Sequence, residues 1–336
     1  IETDGEAVLA SGPTASAPYD PAFRKRLRGV LGGEGPVEDV AREITVAHAD
    51  LVASLLRDNG LGARDIPVIG FHGHTILHRP QDRRTWQIGD GALLARRTGI
   101  DVVSDFRSAD VAAGGEGAPF APLYHAALSR DLEIPMAVLN LGGVANVTWI
   151  GDGELLAFDT GPGNALLDDW ILKRTGRPYD DVGRLATSGC ADAAVLRELL
   201  SDPYFDRPPP KSLDRLDFHA AALEPLSAAD GAATLAVFTC RAVAMAVRHF
   251  PAPPRHWLVA GGGRHNAALM VGLAVALGVP VQPVETVGWD GDGLEAQAFA
   301  YLAIRSLRGL PLSLPQTTGV PRPVTGGTLH RAPGKE

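Results

Sequence analysis

Short apolar runs in this chain end in glycine-rich turns, and the turns lead into stretches with apolar residues at helical spacing. Residues 1–10 read as a strand, a turn at Asp4-Gly5 and a second strand. Residues 37–59 place Val40, Ala41, Ile44, Ala47, Leu51 and Leu55 on one helical face and stop at Gly60. A compact apolar run at 66–71 predicts a buried strand that ends in a polar loop, His72-Gly73-His74-Thr75. Further along come a helix through Ala95, a strand at 100–104 and a glycine-rich stretch with Gly114, Gly115 and Gly117, followed by two helical turns at 121–128. The pattern restarts at Met136 with strands at 137–141, 145–150 and 154–158, the last ending in Asp159-Thr160-Gly161-Pro162-Gly163-Asn164. Helices then alternate with loops to Phe250, before strands at 257–260 and 281–284 and helices at 266–277 and 294–307. Such alternation predicts an α/β protein with largely parallel sheets. The restart suggests two domains, 1–133 and 134–336, with the Pro-, Gly- and Thr-rich tail after 311 packing as an irregular closing segment.

Composition narrows the function classes. With 336 residues, 45% of them apolar, the chain can build extensive cores. No stretch approaches the ~18 uninterrupted apolar residues of a membrane span. The formal charge of -8 argues against a nucleic-acid partner, because phosphate backbones call for a basic surface. Cys190 and Cys240, the only cysteines, stand in no CxxC or metal-ligand spacing, which points to a reducing, cytoplasmic setting. Neither GxGxxG nor GxxxxGK[ST] occurs, which argues against a Rossmann dehydrogenase and a P-loop enzyme.

The candidate chemistry sits where predicted strands end. Asp159 follows a buried strand, and Gly161 and Gly163 beside it let backbone approach a substrate closely. The same segment also reads as an Asp-capped helix after a tight turn. Leu139 to Thr148, with Gly142, Gly143 and Asn146, reads as a glycine hairpin whose tip can wrap a phosphate, or as an ordinary hairpin. Gly261-Gly262-Gly263 leads through Arg264-His265 to Asn266 and a helix, and could lie against a ribose or a flat ring. Arg107 suits a bidentate contact with a carboxylate or sugar oxygen, or a surface ion pair with Asp105 or Asp110. His72 and His74 lack further ligands, so polar contact with a substrate is expected there and no metal site. Glu295 opens the last long helix after Asp290 and Asp292, which allows either a dipole role or a substrate or magnesium contact.

In this order the segments HGHT at His72, QIGD at Gln87 and TGIDVVSDFRSAD from Thr98 resemble the anhydro-N-acetylmuramic acid kinase family. GGEGAPF from Gly114, LNLGGVANVT from Leu139, FDTGPGN from Phe158 and PPPKS from Pro208 continue the match. AGGGRHN from Ala260 and GLEAQAFAYLA from Gly293 complete it over nearly the whole chain. The resemblance implies the two-domain actin-like ATPase fold, ribonuclease H-like, with ATP in the cleft between its domains. It also implies a reaction in which water opens the 1,6-anhydro bridge and ATP phosphorylates the released O6. Cell-wall recycling supplies the sugar, magnesium accompanies ATP, and the assembly is a homodimer. By the same resemblance Asp159 is the base, Arg107 and Glu295 touch the sugar, and the Gly142 and Gly261 turns hold phosphate and adenosine.

Some residues depart from the family pattern. His74 and Glu116 stand where the family usually has Gln, and Leu213-Asp214-Arg215-Leu216 replaces Thr-Gly-Arg-Glu after PPPKS. The family also opens with a strand and a Gly-Thr-Ser-x-Asp-Gly loop that holds ATP phosphates. This sequence starts without them, so the expectation is that the first strand is missing. That leaves an active kinase whose start lies upstream, a truncated relative that only binds sugar or nucleotide, or a kinase for another sugar.

Overall fold

The computed structural model describes residues 1–213, 218 and 221–334. Its backbone contacts divide the chain into Ile1–Arg130 with Glu295–Glu336 as one unit and Asp131–Leu294 as the other. The second unit begins close to the restart at Met136. The last helix and the tail, expected in the second domain, instead belong to the first unit.

In the first unit Asp101–Ser104 lies at the centre of a three-stranded sheet, parallel to Val68–Phe71 and antiparallel to Thr328–His330. The tail is therefore a sheet strand in part, contrary to the irregular segment expected. Three polar anchors rather than apolar periodicity hold it. Ser104 bonds His330 at 2.9 Å, and Asp101 accepts from Arg331 and from the Ala332 amide, each at 2.8 Å. Val37–Asp58 forms the expected long helix, burying Val40, Ile44 and Ala49 along one stripe, with Glu38 and Asp39 in its first turn and Arg57 in its last. His74 departs from the loop expected at 72–75, since it starts the strand His74–Arg79 that pairs with Arg84–Ile88. Glu2–Thr3 and Val8–Ala10 form the predicted opening hairpin.

The second unit is built on one five-stranded sheet, in the order Val281–Pro283, Trp257–Ala260, Met136–Leu141, Val144–Ile150, Leu155–Pro162. The first three are mutually parallel and the last three form an antiparallel meander. The sheet is thus mixed, because the two consecutive hairpins leave no room for crossover helices. Ala228–Ala246 packs against Leu155–Pro162 and buries residues around its whole circumference, among them Leu235, Phe238, Cys240 and Val243. Ala228–His249 is the single helix, among the described residues, long and apolar enough to cross a membrane, at mean hydropathy 1.4. It is the central helix of this core, with 67% of that stretch buried.

Gly70 marks the tightest contact in the first unit. A Cβ there would lie 2.0 Å from the Phe299 carbonyl oxygen, so the helix Leu294–Leu307 rests its backbone directly on the strand. Gly70→Ala is expected to cost about 1–3 kcal/mol through overpacking, read as a lower urea midpoint. An unchanged midpoint would contradict that packing.

Candidate active site

Three glycine-bearing segments of the second unit meet at one end of its sheet. Leu155–Pro162 runs four residues further than expected, so Asp159 lies inside a strand rather than after one. Asn146 opposes Asp159 while Ala145 opposes Gly161, which leaves Thr160 as the extra residue of a bulge. Bulges re-aim side chains at a strand's end. Here the buried Asp159 carboxylate accepts from the Leu213 amide at 2.9 Å. Its backbone is fixed on both sides: its N–H donates to Lys211 at 3.0 Å, and its carbonyl accepts the Tyr204 hydroxyl at 2.5 Å. The capping alternative fails, since the residue flanking the helix Ala165–Thr175 is Asn164 and its side chain makes no cap.

Asn164 instead binds the three segments together. Its side-chain amide donates to the Leu141 carbonyl at 2.8 Å, and its backbone N–H donates to Gly142 at 2.7 Å. Gly163 N–H donates to the Gly143 carbonyl at 3.0 Å. A Cβ on Gly163 would sit 2.3 Å from the Gly142 carbonyl oxygen, and one on Gly263 would sit 2.5 Å from Leu141 Cβ. Gly261, at φ +76, has only 2.5 Å to Asn140 Oδ1, and Gly161 takes φ +151. These four glycines are dictated by the fold.

Gly142, Gly143 and Gly262 differ. Added Cβ atoms there would meet nothing closer than 3.5, 3.6 and 4.0 Å, and none of the three takes a positive φ. Neither packing nor backbone geometry requires glycine at these positions. A ligand that comes close to the main chain would.

Arg264 and Lys211 stand inside matched motifs but were given no role by the sequence. Arg264 is buried, holding Glu285 and Asp292 at 2.7 Å each and its own turn's Gly261 carbonyl at 3.0 Å. Asp292 is thereby engaged by an arginine rather than presented to magnesium. Asp290 accepts the amides of Asp292 and Gly293 at 3.1 and 3.0 Å. Gly291 was the readable signal, since only its missing side chain lets Arg264 in. Lys211 Nζ donates to the Tyr204 carbonyl at 3.0 Å, and burial, with Arg248 and Arg207 nearby, pushes its pKa down to about 8. Asn266, expected to touch a cofactor, caps the helix Ala267–Leu277 through the Leu269 amide at 3.2 Å. Asp214, Arg215 and Leu216, where the sequence leaves the family pattern, lie outside the described residues.

In the first unit Arg107 makes contacts beyond the carboxylate or sugar contact and the ion pair that its sequence suggests. Its Nε donates to His72 Nε2 at 2.8 Å, its Nη1 donates to the Gly117 carbonyl at 2.5 Å, and its guanidinium lies 5.3 Å from the Phe120 ring. A cleft of about 240 Å³ is lined by its partner His72, by Trp86, Gln87 and Ser104, and by Asp105 and Ser108 close to it in the chain, but not by Arg107 itself. His74 does not line it. Asp105 sits at φ 57, a strained setting for a non-glycine residue that recurs at functional sites. Trp86, 41% exposed, offers an aromatic face. Glu295 is exposed in the first turn of Leu294–Leu307.

The sequence model of the anhydro-N-acetylmuramic acid kinase family matches residues 10–332. This chain belongs to that family. An anhydro-N-acetylmuramic acid kinase of Paramagnetospirillum magneticum is 59% identical over 334 residues, covering 98% of this chain and 94% of the relative. Those of Rhodospirillum rubrum and Acidiphilium cryptum are 55% and 56% identical, over 99% and 98% of this chain and 90% and 93% of theirs. Among solved structures, the activator of the 2-hydroxyisocaproyl-CoA dehydratase from Clostridium difficile with bound ADPNP aligns at TM-score 0.41 and 13% identity, over 91% of this chain and 90% of that one. The chain is α/β, as the alternation of strands and helices predicted.

Burial, then the Arg107 charge, drives the His72 pKa down to about 3, so its ring is neutral and accepts from Arg107. A folded pKa below the ordinary 6.5 means the unfolded chain binds the extra proton. The stability this contributes is complete above pH 6.5 and lost as pH falls toward about 3. His125, pushed down to about 4 by burial, acts in the same direction. His72→Gln is expected to flatten, but not abolish, the fall in stability over that window. Equal slopes for variant and parent in pH-dependent urea unfolding would contradict a neutral, half-buried His72.

Proposed function

We propose that this protein is an ATP-dependent sugar kinase that hydrolytically opens 1,6-anhydro-N-acetylmuramic acid and phosphorylates O6, giving N-acetylmuramic acid 6-phosphate. Family membership supports the kinase reading. One structural observation carries it further, namely the split between glycines the fold demands and glycines it does not. Gly163, Gly261 and Gly263 press three segments together, while Gly142, Gly143 and Gly262 keep backbone bare beside them. Bare main chain with amides near a strand's end is what nucleotide phosphates need.

Asp159 is the base in this reading. Its carboxylate is fixed by Leu213 and its main chain by Lys211 and Tyr204, so it holds one orientation without paying for reorganisation. The carboxylate takes a proton from water as the water oxygen bonds to the anomeric carbon. The bond from that carbon to O6 breaks, and O6 then attacks the terminal phosphorus of ATP, with ADP leaving. On the first unit, the cleft lined by His72 and Trp86, with Arg107 bonded to His72 behind it, suits a sugar ring, and His72 and Asn164 orient side chains around the two regions rather than reacting. Glu295, exposed on its helix, is left to contact the sugar. Magnesium, carried by the ATP phosphates, neutralises their charge when bound. A cytoplasmic setting fits the cysteine usage, with Cys240 buried and its thiol pushed up to about 12, and small-molecule rather than nucleic-acid partners fit the acidic charge, while the homodimer follows from the family resemblance.

Sugar-dependent ADP release with magnesium is the test. Asp159→Asn is expected to lower kcat by about 10²–10⁴-fold, the worth of a positioned base, with ATP affinity retained. Parent-level turnover in this variant would remove Asp159 from the role. Absence of sugar-dependent release by the parent protein would instead count against the kinase reading.

The glycine split yields a second expectation. Gly142→Ala is expected to fold with an unchanged melting temperature and to bind ATP more weakly by calorimetry. Gly163→Ala, driven against the Gly142 carbonyl, is expected to lose stability. The reverse pattern would mean that the hairpin tip is structural only.

A further inference from the structure

The glycine-rich segment behind Arg107 has a structural cause that neither the sequence motif nor the family assignment explains. Asp110, 1% exposed, lies three residues beyond Arg107 in the short helix Ser108–Ala112. A buried carboxylate needs donors. Asp110 Oδ1 accepts the Gly117 amide at 2.7 Å, and Oδ2 accepts the Thr318 hydroxyl at 2.6 Å. The loop wraps this carboxylate so closely that a Cβ on Gly115 would lie 2.2 Å from Asp110 Oδ1. Gly117, at φ +68, has only 2.6 Å to Val111 and 2.8 Å to His78. Two further bonds secure the neighbouring peptide: Glu116 N–H donates to the Thr318 carbonyl at 2.6 Å, and the Glu116 carbonyl meets His78 Nε2 at 3.0 Å.

Gly117 thus links the two side chains: its N–H binds Asp110, and its carbonyl, in the next peptide group, receives Arg107 Nη1. The Gly117 carbonyl and His72 Nε2 are fixed polar points for Arg107. We propose that Asp110 is a positioning residue for Arg107, acting through the Gly117 loop, with Thr318 of the C-terminal segment locking the carboxylate from its other side. Asp110 touches no substrate in this scheme. It sets the plane in which the guanidinium meets the sugar, so its loss weakens sugar recognition and leaves nucleotide recognition alone. The kinetic part rests on the kinase reading above, while the structural part does not.

The test is a double-mutant cycle on the full chain with two independent readouts. Asp110→Asn is expected to raise KM for 1,6-anhydro-N-acetylmuramic acid about tenfold, as loss of a charge-assisted hydrogen bond allows, with KM for ATP unchanged. In an Arg107→Lys background the same substitution is expected to add almost nothing, because the group it positions has gone. Thr318→Val is expected to give a smaller loss of the same kind, and Thr318→Ser to restore it. Independently, the ¹⁵N chemical shift of the His72 ring is expected to move in Asp110→Asn, since its donor Arg107 has shifted. Additive losses in the cycle, an equal rise in the ATP KM, or a His72 shift identical to the parent's would each overturn the proposal. If the parent shows no sugar-dependent turnover, the kinase reading fails and the His72 shift alone decides the positioning role. If Asp110→Asn does not fold, Thr318→Val against Thr318→Ser decides it by the same readouts.

Discussion

The second unit depends on one close approach of main chain to main chain. Gly163 and Asn164 donate their amides to the carbonyls of Gly143 and Gly142, and no side chain fits at Gly163. That contact seats the end of one strand over the tip of the neighbouring hairpin. Once seated, it fixes where the helix Ala165–Thr175 begins and where Asn164 can reach Leu141. It also closes the end of the bulged strand whose extra residue, Thr160, follows Asp159. Backbone carbonyls accept strongly and cannot be left unpaired in a buried place, so the seating is energetically tied to the sheet itself.

Much of this was legible in residue order. The glycine positions and the apolar runs on either side place the strand ends within a few residues, because glycine is the one residue that tolerates such contacts. The sorting of those glycines was not legible. Gly142 and Gly163 look alike in a sequence, and only the space around each separates a packing requirement from a vacancy kept for something else. The bulge at Thr160 was hidden for a similar reason. A strand that runs on through Asp159 to Pro162 contains residues of low strand propensity, held there by pairing with Val144–Ile150 rather than by local preference. The parallel sheet expected from alternation became a mixed one because Met136 to Pro162 meanders without intervening helices.

In the first unit the sequence marked Arg107 but not its distant company. An arginine with aspartates two residues before and three after suggests ion pairs, and nothing local announces the imidazole and the carbonyl that it also bonds, or that one aspartate is engaged by the loop behind. Partners 35 residues away in sequence, as His72 is, leave no local trace. The tail shows the same limit. Thr328–His330 is too short and too polar to announce a strand, and its pairing is set by Asp101 and Ser104.

That closing strand has a consequence for the order in which the molecule is made. The first unit is assembled from two stretches of chain, Ile1–Arg130 and Glu295–Glu336, whereas Asp131–Leu294 is continuous. On the ribosome, the continuous unit has all its strands in hand while the other still waits for its last helix and for the strand that flanks Asp101–Ser104. Until Leu294–Leu307 emerges, the surface of Gly70 made to receive Phe299 stays uncovered. Synthesis therefore leaves the early unit's sheet without its covering helix and its flanking strand for the time taken to translate the stretch from residue 131 onward.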